Sequence, residues 1–406
     1  MKLEGAKVAV VGMARSGLAA AELLARKGAH VTAVDKNYGN QVPESFADAE
    51  LIVLSPGVPA DLEELGGARS RGVPVIGDLE LASWFLRGDI VGITGSNGKT
   101  TTTALTWHIF KACGIPAQVG GNIGTPPCSM VATSRKGQWN VLELSSFQLE
   151  TIQSFRAHIG ACLNITPDHL DRHYTMERYA AAKARLFENQ TAEDFAVLNA
   201  DDPLTRELTK SIAASVVWFS GAQPTLSASD VPLRGRHNLE NAMAAASIAR
   251  LAGAEEKQIR AAIKTFPGVE HRLEFVRETD GVCWYNDSKA TNVDATIKAI
   301  EAFPGPLWII LGGRDKHSDY APLVGLLKEK ARAALLIGEA AGKIEQPLRG
   351  NVPVIGCVTL DMAVREARAR ARAGDTVLLA PACASFDQFE NFEHRGREFK
   401  RLVGEL

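Results

Sequence analysis

Short runs of consecutive apolar residues recur along the whole chain, and stretches with helical spacing separate them. The runs include "KVAVVG" (Lys7 to Gly12), "LIVLSPG" (Leu51 to Gly57), "IVGITG" (Ile90 to Gly95) and "VLELSS" (Val141 to Ser146). Further along come "FAVLNADD" (Phe195 to Asp202), "LWIILGG" (Leu307 to Gly313), "AALLIG" (Ala333 to Gly338) and "DTVLLAPA" (Asp375 to Ala382). Near-continuous apolar strands with helices between them predict parallel sheets covered on both faces. Several runs end directly in Gly, Asn, Asp or Ser, which sets small polar residues at the carboxyl edges of the sheets. Open α/β sheets bind ligands at that edge. The sequence therefore predicts an α/β protein, and 406 residues are too many for one ordinary core. Module boundaries are expected near "RGD" (Arg87 to Asp89) and near "FPGVEHR" (Phe266 to Arg272), where a Pro-Gly turn precedes a hairpin-like stretch.

Composition narrows the partners. A net charge of −2 gives no electrostatic reason for a nucleic-acid or anionic-membrane partner. The arginines of "REARARARAG" (Arg365 to Gly374) alternate with alanine at helical spacing and read as a solvated helix face. No run reaches the roughly 18 uninterrupted apolar residues of a membrane span. The six cysteines are scattered without a C-x-x-C pair, which suits buried thiols in a reducing compartment. A cytoplasmic protein is expected.

Two glycine-rich turns carry candidate chemistry. "VAVVGMARSGLAAAELLARKGAHVTAVD" reads strand, turn, helix, strand, with Gly12, Ala14 and Gly17 matching G-x-G-x-x-G except for alanine in the middle. The middle glycine normally lets a pyrophosphate approach the backbone, so alanine weakens a dinucleotide reading. A nucleotide at the helix N-terminus and a tight turn without ligand both remain open. "GITGSNGKTTTT" (Gly92 to Thr103) follows a strand and precedes a helical pattern, the setting of a phosphate cradle. It misses the strict G-x-x-x-x-G-K-[ST] spacing, because Ile93 stands five residues before Gly98. Lys99 would face phosphates, and the Thr100 hydroxyl would suit Mg²⁺. Glu143, inside an apolar strand, needs a metal or a cationic partner to offset its burial. "NITPDHLDRH" (Asn164 to His173) crowds acids and histidines; a His169–His173 zinc pair is conceivable, but a single histidine beside magnesium fits the loop better.

In these motifs the chain resembles the Mur ligase family, whose loop T-G-[ST]-N-G-K-[ST] departs from the strict spacing in the same way. The likeness runs over nearly all 406 residues, through "GGNIG", "LELSSFQLE", "DHLDRH", "YAAAKARLFEN", "RHNLENA", "NDSKATN", "LGGRDK" and "PACASFDQFENFEHRG". "NDSKATN" with "ACASFDQF" is similar to the D-glutamate-adding branch of the family, and the D-N-P-R motif of the diaminopimelate/lysine-adding branch is missing.

The resemblance implies three consecutive domains: a Rossmann-like UDP-binding domain (1–88), a central P-loop ATPase-like domain with a mostly parallel sheet (89–268), and a Rossmann-like amino-acid-binding domain (269–406). It implies a monomeric, ATP- and Mg²⁺-dependent amide-bond former acting through an acyl phosphate, with UDP-MurNAc-L-alanine and D-glutamate as substrates. Carried over residue by residue, Gly95, Asn97, Gly98, Lys99, Thr100, Thr101, Asn238, Arg272 and Asp287 bind ATP. Thr100, Glu143, His169 and Lys183 hold two Mg²⁺ ions, Lys183 as a CO₂-derived carbamate; by sequence alone that lysine would be a solvated helix residue. Ala14, Arg15, Lys36, Asn37, Gly57 and Asn122 contact the UDP substrate. Lys289, Thr291, Lys316, Ser385, Phe386 and Phe392 line the D-glutamate pocket, and the catalytic set is Lys99, His169, Lys183 and Lys289. Two departures stand out: "SGAQPTLSASDVPLRGRHN" (Ser220 to Asn238) is short for the family, and "KNYG" (Lys36 to Gly39) lacks the Thr-Arg pair of some relatives.

Overall fold

The computed structural model describes residues 2–35, 46–233 and 235–406. Lys36 and Asn37 therefore lie outside the described residues. The described residues form three sheets. The first runs in the order β2-β1-β3-β4, from β1 (Lys7–Val11), β2 (His30–Val34), β3 (Leu51–Leu54) and β4 (Val75–Gly77). All its pairings are parallel. The second is wholly parallel too, in the order β10-β9-β8-β5-β7-β6. Its strands are β5 (Ile90–Thr94), β6 (Ala117–Gly121), β7 (Trp139–Glu143), β8 (Ile159–Cys162), β9 (Phe195–Asn199) and β10 (Ser215–Phe219).

The third sheet has the order β11-β12-β16-β13-β14-β15. It comprises β11 (Glu274–Thr279), β12 (Val282–Asn286), β13 (Leu307–Gly312), β14 (Ala331–Ile337), β15 (Val354–Val358) and β16 (Thr376–Leu379). Only β11 runs antiparallel, in the hairpin with β12 that the Pro-Gly turn foreshadows. The fold is thus α/β with three sheet-based domains. By compactness the chain divides into two units, Met1–Thr225 with Glu240–Thr265, and Leu226–Leu239 with Phe266–Leu406. The first two sheets belong to the first unit.

In each sheet the strand order reverses beside one strand. In the first, β2 and β3 flank β1; in the second, β7 and β8 flank β5; in the third, β14 and β16 flank β13. The loop at the carboxyl end of such a strand lies open between diverging connections. Gly12, the Gly95–Gly98 loop and Gly313 follow these three strands. Of these, β5 and β13 are buried along their whole length, as their unbroken apolar runs require.

The helix Leu360–Arg370 meets the expectation for the arginine-rich stretch: Arg365 pairs with Asp361 and Arg370 with Glu366 along its surface. All six cysteines are free thiols. Among the described residues no helix is long and apolar enough to cross a membrane.

Within the first unit, two acids on the short helix Asp78–Ser83 receive opposite treatment. Glu80 is 1% exposed and accepts hydrogen bonds from the backbone N–H groups of Gln153, Ser154 and Phe155 at 2.8–3.1 Å, and from Trp84 Nε1 at 2.9 Å. The Ser154 hydroxyl donates to it as well. Burial alone would raise its pKa, but the Gln153 and Ser154 donors outweigh that and hold it below the usual value. This carboxylate ties the first sheet's last helix to the chain just before β8.

Asp78, two residues earlier and equally buried, has neither oxygen in a hydrogen bond. Burial pushes it up to about 6, and the nearby Ser16 hydroxyl and Leu79 N–H oppose this only weakly, from outside hydrogen-bonding geometry. Linkage gives the two acids opposite signs. Glu80 stabilises the fold above its unfolded pKa, and that contribution disappears as pH falls. Asp78 penalises the fold as pH rises from about 4 to about 6. Glu80→Gln should lower the thermal midpoint at pH 7 by an amount equivalent to about 2–3 kcal/mol, with the gap closing in acid. Asp78→Asn should shift the balance the other way, gaining about 2 kcal/mol relative to wild type between pH 4 and pH 7. Thermal melts of both variants across that range check the signs.

Candidate active site

The phosphate-type loop leaves β5 and turns into the helix Lys99–Ala112. Gly98 caps that helix with φ +87°, and a Cβ there would lie 2.2 Å from Asn241 Oδ1, so the turn needs glycine for both conformation and space. The loop is braced from the chain after β8. Asn97 N–H donates to Asn164 Oδ1 at 2.8 Å, and Asn164 Nδ2 returns a bond to the Asn97 carbonyl at 3.1 Å. The Ser96 hydroxyl donates to the Thr166 carbonyl at 2.9 Å and sits 3.1 Å from the Tyr179 hydroxyl. Sequence reasoning missed Asn164 and Tyr179 as loop braces. The only signal was an asparagine directly after an apolar strand.

Two lysines meet under this loop. Lys99 Nζ folds back to donate to the Gly95 carbonyl at 2.7 Å and the Ser96 carbonyl at 2.9 Å. Lys183 Nζ reaches the same Gly95 carbonyl at 2.8 Å. Lys183 is 1% exposed, which corrects the default reading of a solvated helix lysine. It lies on the helix Met176–Ala184, whose cap is the Thr175 hydroxyl accepting from Arg178 N–H, and its ammonium lies 4.5 Å from the Tyr179 ring centre. Burial, and then the charge of Lys99, lower its pKa to about 7. Thr100 and Thr101 are buried in the helix's first turn, and the Thr101 hydroxyl has no hydrogen-bond partner.

Glu143 ends β7, beside β5, and is 1% exposed. Its Oε1 accepts from Asn122 Nδ2 at 2.9 Å, and its backbone carbonyl accepts from Asn122 N–H at 2.8 Å. Oε2 is buried without a partner, and among the described residues no cationic side chain pairs with this carboxylate. The ion-pair reading of Glu143 therefore fails, and a cation would supply what the fold omits. His169, at φ +52°, caps the helix Leu170–His173 and packs edge-on to Phe147. His173 does not join it: its Nε2 bonds the Ser146 hydroxyl at 2.9 Å and its Nδ1 pairs with Glu150 at 3.3 Å. That disposes of the zinc pair. Arg172 donates to Glu150 at 2.7 Å and to the Val58 carbonyl at 3.1 Å, which fixes this segment to the turn that holds Gly57.

In the first sheet, Ala14 is the extended residue ahead of the helix Arg15–Arg26. A Cβ on Gly17 would lie 1.8 Å from the Gly12 carbonyl, so the third glycine of the motif serves close helix–strand packing. Arg15 and Gly57 are exposed, and the Arg15 guanidinium bonds the Gly124 carbonyl in "GGNIG". Arg15 thus docks on the same loop that carries Asn122.

The second unit holds the remaining candidates. Asn238, Arg272, Pro232, Leu233 and Tyr285 line a cavity of about 310 Å³. His271 and Leu273 both have positive φ, and this turn carries Arg272 between them. Asp287 is 2% exposed, and its Oδ1 pairs with Arg272 Nη1 at 4.0 Å but takes part in no hydrogen bond. Burial raises its pKa to about 6 against the pull of Arg272. Lys289 Nζ lies 5.2 Å from the Phe392 ring centre. Ser385 is buried, Phe386 is 60% exposed, and Phe392 is half-buried at the start of the helix Phe392–Gly404. Lys316 follows β13, and Thr291 follows β12. Glu270, His271 and Glu274 cluster closely enough for a metal ion, but Lys400 Nζ bridges the two glutamates at 2.8 and 2.7 Å.

Comparison with known proteins agrees with this arrangement. Residues 93–229 match the Mur ligase middle domain, and residues 271–383 match the Mur ligase glutamate ligase domain. The chain is 55% identical to a UDP-N-acetylmuramoylalanine–D-glutamate ligase of Solibacter usitatus, covering 100% of this chain and 99% of the relative. It is 48% identical to the protein of the same name from Acidobacterium capsulatum, over 99% and 97%. Among solved structures, a MurF ligase from Thermotoga maritima in complex with ADP superposes with a TM-score of 0.67 at 17% identity, covering 99% of this chain and 96% of that one. The UDP-N-acetylmuramate–alanine ligase of Thermotoga maritima gives 0.65 at 18% identity, over 98% and 99%; these two likenesses speak for the fold. The braced glycine loop, the paired lysines and the unsatisfied Glu143 thus stand on a full-length match, and this chain belongs to the Mur ligase family.

Proposed function

We propose that this chain is an ATP-dependent ligase that joins D-glutamate to UDP-N-acetylmuramoyl-L-alanine through an acyl phosphate, a cytoplasmic step of peptidoglycan precursor synthesis. The observation that carries the chemistry is the charge arrangement around the Gly95 carbonyl. Two lysine nitrogens share one acceptor while a buried carboxylate oxygen beside the loop goes unpaired. Such a site is complete only when anionic oxygens and cations enter it. Relatives along the full length of the chain, named for D-glutamate ligation, support the choice of substrates.

The glycine loop and the N-terminus of its helix direct N–H groups and a favourable field at the phosphates of ATP, and Lys99 swings from its own loop to the β- and γ-phosphates. Thr100, Glu143, His169 and Lys183 would hold two Mg²⁺ ions, which when bound offset charge on the phosphoryl oxygens. The unpartnered Glu143 Oε2 fits that role. Lys183 serves as a carbamate: its neutral amine attacks CO₂, an N–C bond forms, one N–H proton passes to water, and a cation becomes a carboxylate. A pKa of about 7 supplies the free amine this requires, and like-charge repulsion from Lys99 turns into attraction.

Ala14, Arg15, Gly57 and Asn122 hold the UDP-muramoyl substrate, whose alanyl carboxylate attacks the γ-phosphorus as ADP leaves. The amine of D-glutamate then attacks the acyl carbonyl, loses a proton, and phosphate departs. Lys289 stabilises the oxyanion of that tetrahedral intermediate. In the second unit, Asn238, Arg272 and Asp287 contact ATP. Lys289, Thr291, Lys316, Ser385, Phe386 and Phe392 receive D-glutamate, with ammonium and hydroxyl donors matched to its two carboxylates. Proteins of this type need positioning and charge neutralisation more than covalent help from the enzyme.

Purified protein with ATP, Mg²⁺ and bicarbonate should release phosphate only when UDP-MurNAc-L-alanine and D-glutamate are both present. Absence of the amide product by mass spectrometry overturns the assignment. Lys183→Ala should lose roughly 100-fold or more in kcat, with partial recovery in acetate, and undiminished turnover would refute the carbamate. With ¹³C-bicarbonate, a carbamate resonance that Lys183→Ala lacks should strengthen from pH 6 to pH 8, as the amine loses its proton.

A further inference from the structure

Arg395 has a place in the second unit that the reaction described above does not use. It lies in the first turn of the helix Phe392–Gly404 and is 0% exposed. All its hydrogen bonds go to neutral oxygens. Nε donates to Ser288 Oγ at 3.0 Å, and Nη2 donates to the carbonyls of Ser288 at 2.9 Å and Cys383 at 3.1 Å. Nη1 donates to the Ala384 carbonyl at 3.3 Å. Among the described residues it forms no ion pair. Asp387, which favours its charge from a distance, accepts instead from the backbone N–H of Glu339 at 3.1 Å.

Burial lowers the pKa of this guanidinium only to about 10, so it carries its charge at neutral pH. A buried cation without a counter-ion is costly, and the N-terminal turn of a helix is the wrong end of the dipole for it. Stability alone gives no reason to keep it.

Its acceptors explain its position. Ser288 immediately precedes Lys289, and Cys383 and Ala384 immediately precede Ser385. The Ser288 hydroxyl, held by Nε, donates in turn to the Phe392 carbonyl at 2.8 Å. Ala384 also exchanges backbone hydrogen bonds with Arg314 at 2.9 and 3.1 Å, which ties in the loop after β13 that leads to Lys316. One guanidinium therefore joins the segments that carry four of the proposed D-glutamate contacts.

We propose that Arg395 is the positioning residue of the amino-acid pocket: it locks the loops bearing Lys289, Ser385 and Phe392 in register, and its uncompensated charge makes the pocket select an amino acid with two carboxylates. This rests on the D-glutamate reading. The planar fork suits the role, because it satisfies four oxygens on separate segments in fixed directions, which an ammonium cannot do.

The test uses the full chain with Arg395→Met, Arg395→Lys and Ser288→Ala, measuring kcat, three KM values and discrimination between D-glutamate and D-glutamine. Arg395→Met should raise KM for D-glutamate about 30-fold and cut that discrimination about tenfold, leaving KM for ATP and the UDP substrate within about twofold. Arg395→Lys should restore most of the discrimination but little of the KM, since charge returns without the fork. Ser288→Ala should raise KM for D-glutamate about threefold with discrimination intact. An unchanged KM for D-glutamate in Arg395→Met overturns the proposal. So does a parallel rise of all three KM values with a fall in thermal midpoint in Arg395→Lys and Ser288→Ala, which assigns Arg395 to folding alone. Should Arg395→Met be insoluble, the other two variants decide. If the wild type joins no D-glutamate, the functional reading fails and this proposal with it. If the wild type does so and the variants behave like it, only this proposal fails.

Discussion

One backbone carbonyl, that of Gly95, accepts hydrogen bonds from two lysines, and much of the active-site architecture follows from that constraint. The carbonyl stands at the carboxyl end of β5, where β7 and β8 diverge, so it looks into the open edge of a wholly parallel sheet. Two like charges on one oxygen repel, and the protein holds them there only because the surrounding chain fixes both partners. Asn164 and Ser96 clamp the loop, and Tyr179 and the Thr175-capped helix hold Lys183. The repulsion is electrostatic, and the anionic ligands proposed for this site would relieve it.

Buried charge separates scaffold from site throughout the molecule. Glu80 and Asp194 are fully engaged: Glu80 by three backbone N–H groups, Asp194 by Arg156 and His158. These hubs hold segments together. Glu143 and Asp287 each keep an oxygen without a hydrogen bond, and Arg395 has donors satisfied but no ion pair among the described residues. Native folds rarely leave buried polar atoms unpaired without a reason. Glu143, Asp287 and Arg395 belong to segments where a cation, a nucleotide or a dicarboxylate is proposed to bind, whereas Glu80 and Asp194 hold the scaffold together.

Asp78 fits neither class neatly. It is buried and unpaired, like the site acids, but it sits at the base of the first sheet's last helix. Its raised pKa keeps it substantially protonated in mild acid, so the fold tolerates it there and strains against it at neutral pH.

Much of the fold was legible in the residues themselves. Unbroken apolar runs specify strands buried on both faces, and the local spacing of glycine, lysine and threonine specifies a phosphate cradle at a helix start; both are properties of neighbouring residues. Glu143 was readable as a buried acid because it interrupts such a run. Lys183 was not readable: its local pattern is that of an exposed helix, and its burial comes from a contact with Gly95, 88 residues away. Periodicity says which residues share a face, but it cannot say what that face will meet. Arg395 was invisible for the same reason, since its acceptors lie up to 107 residues distant. The sequence by itself determined the strands, the turns and the candidate chemistry of each motif. Only the tertiary structure decided which charges are paired and which stay unpaired, because that depends on contacts between segments far apart in the chain.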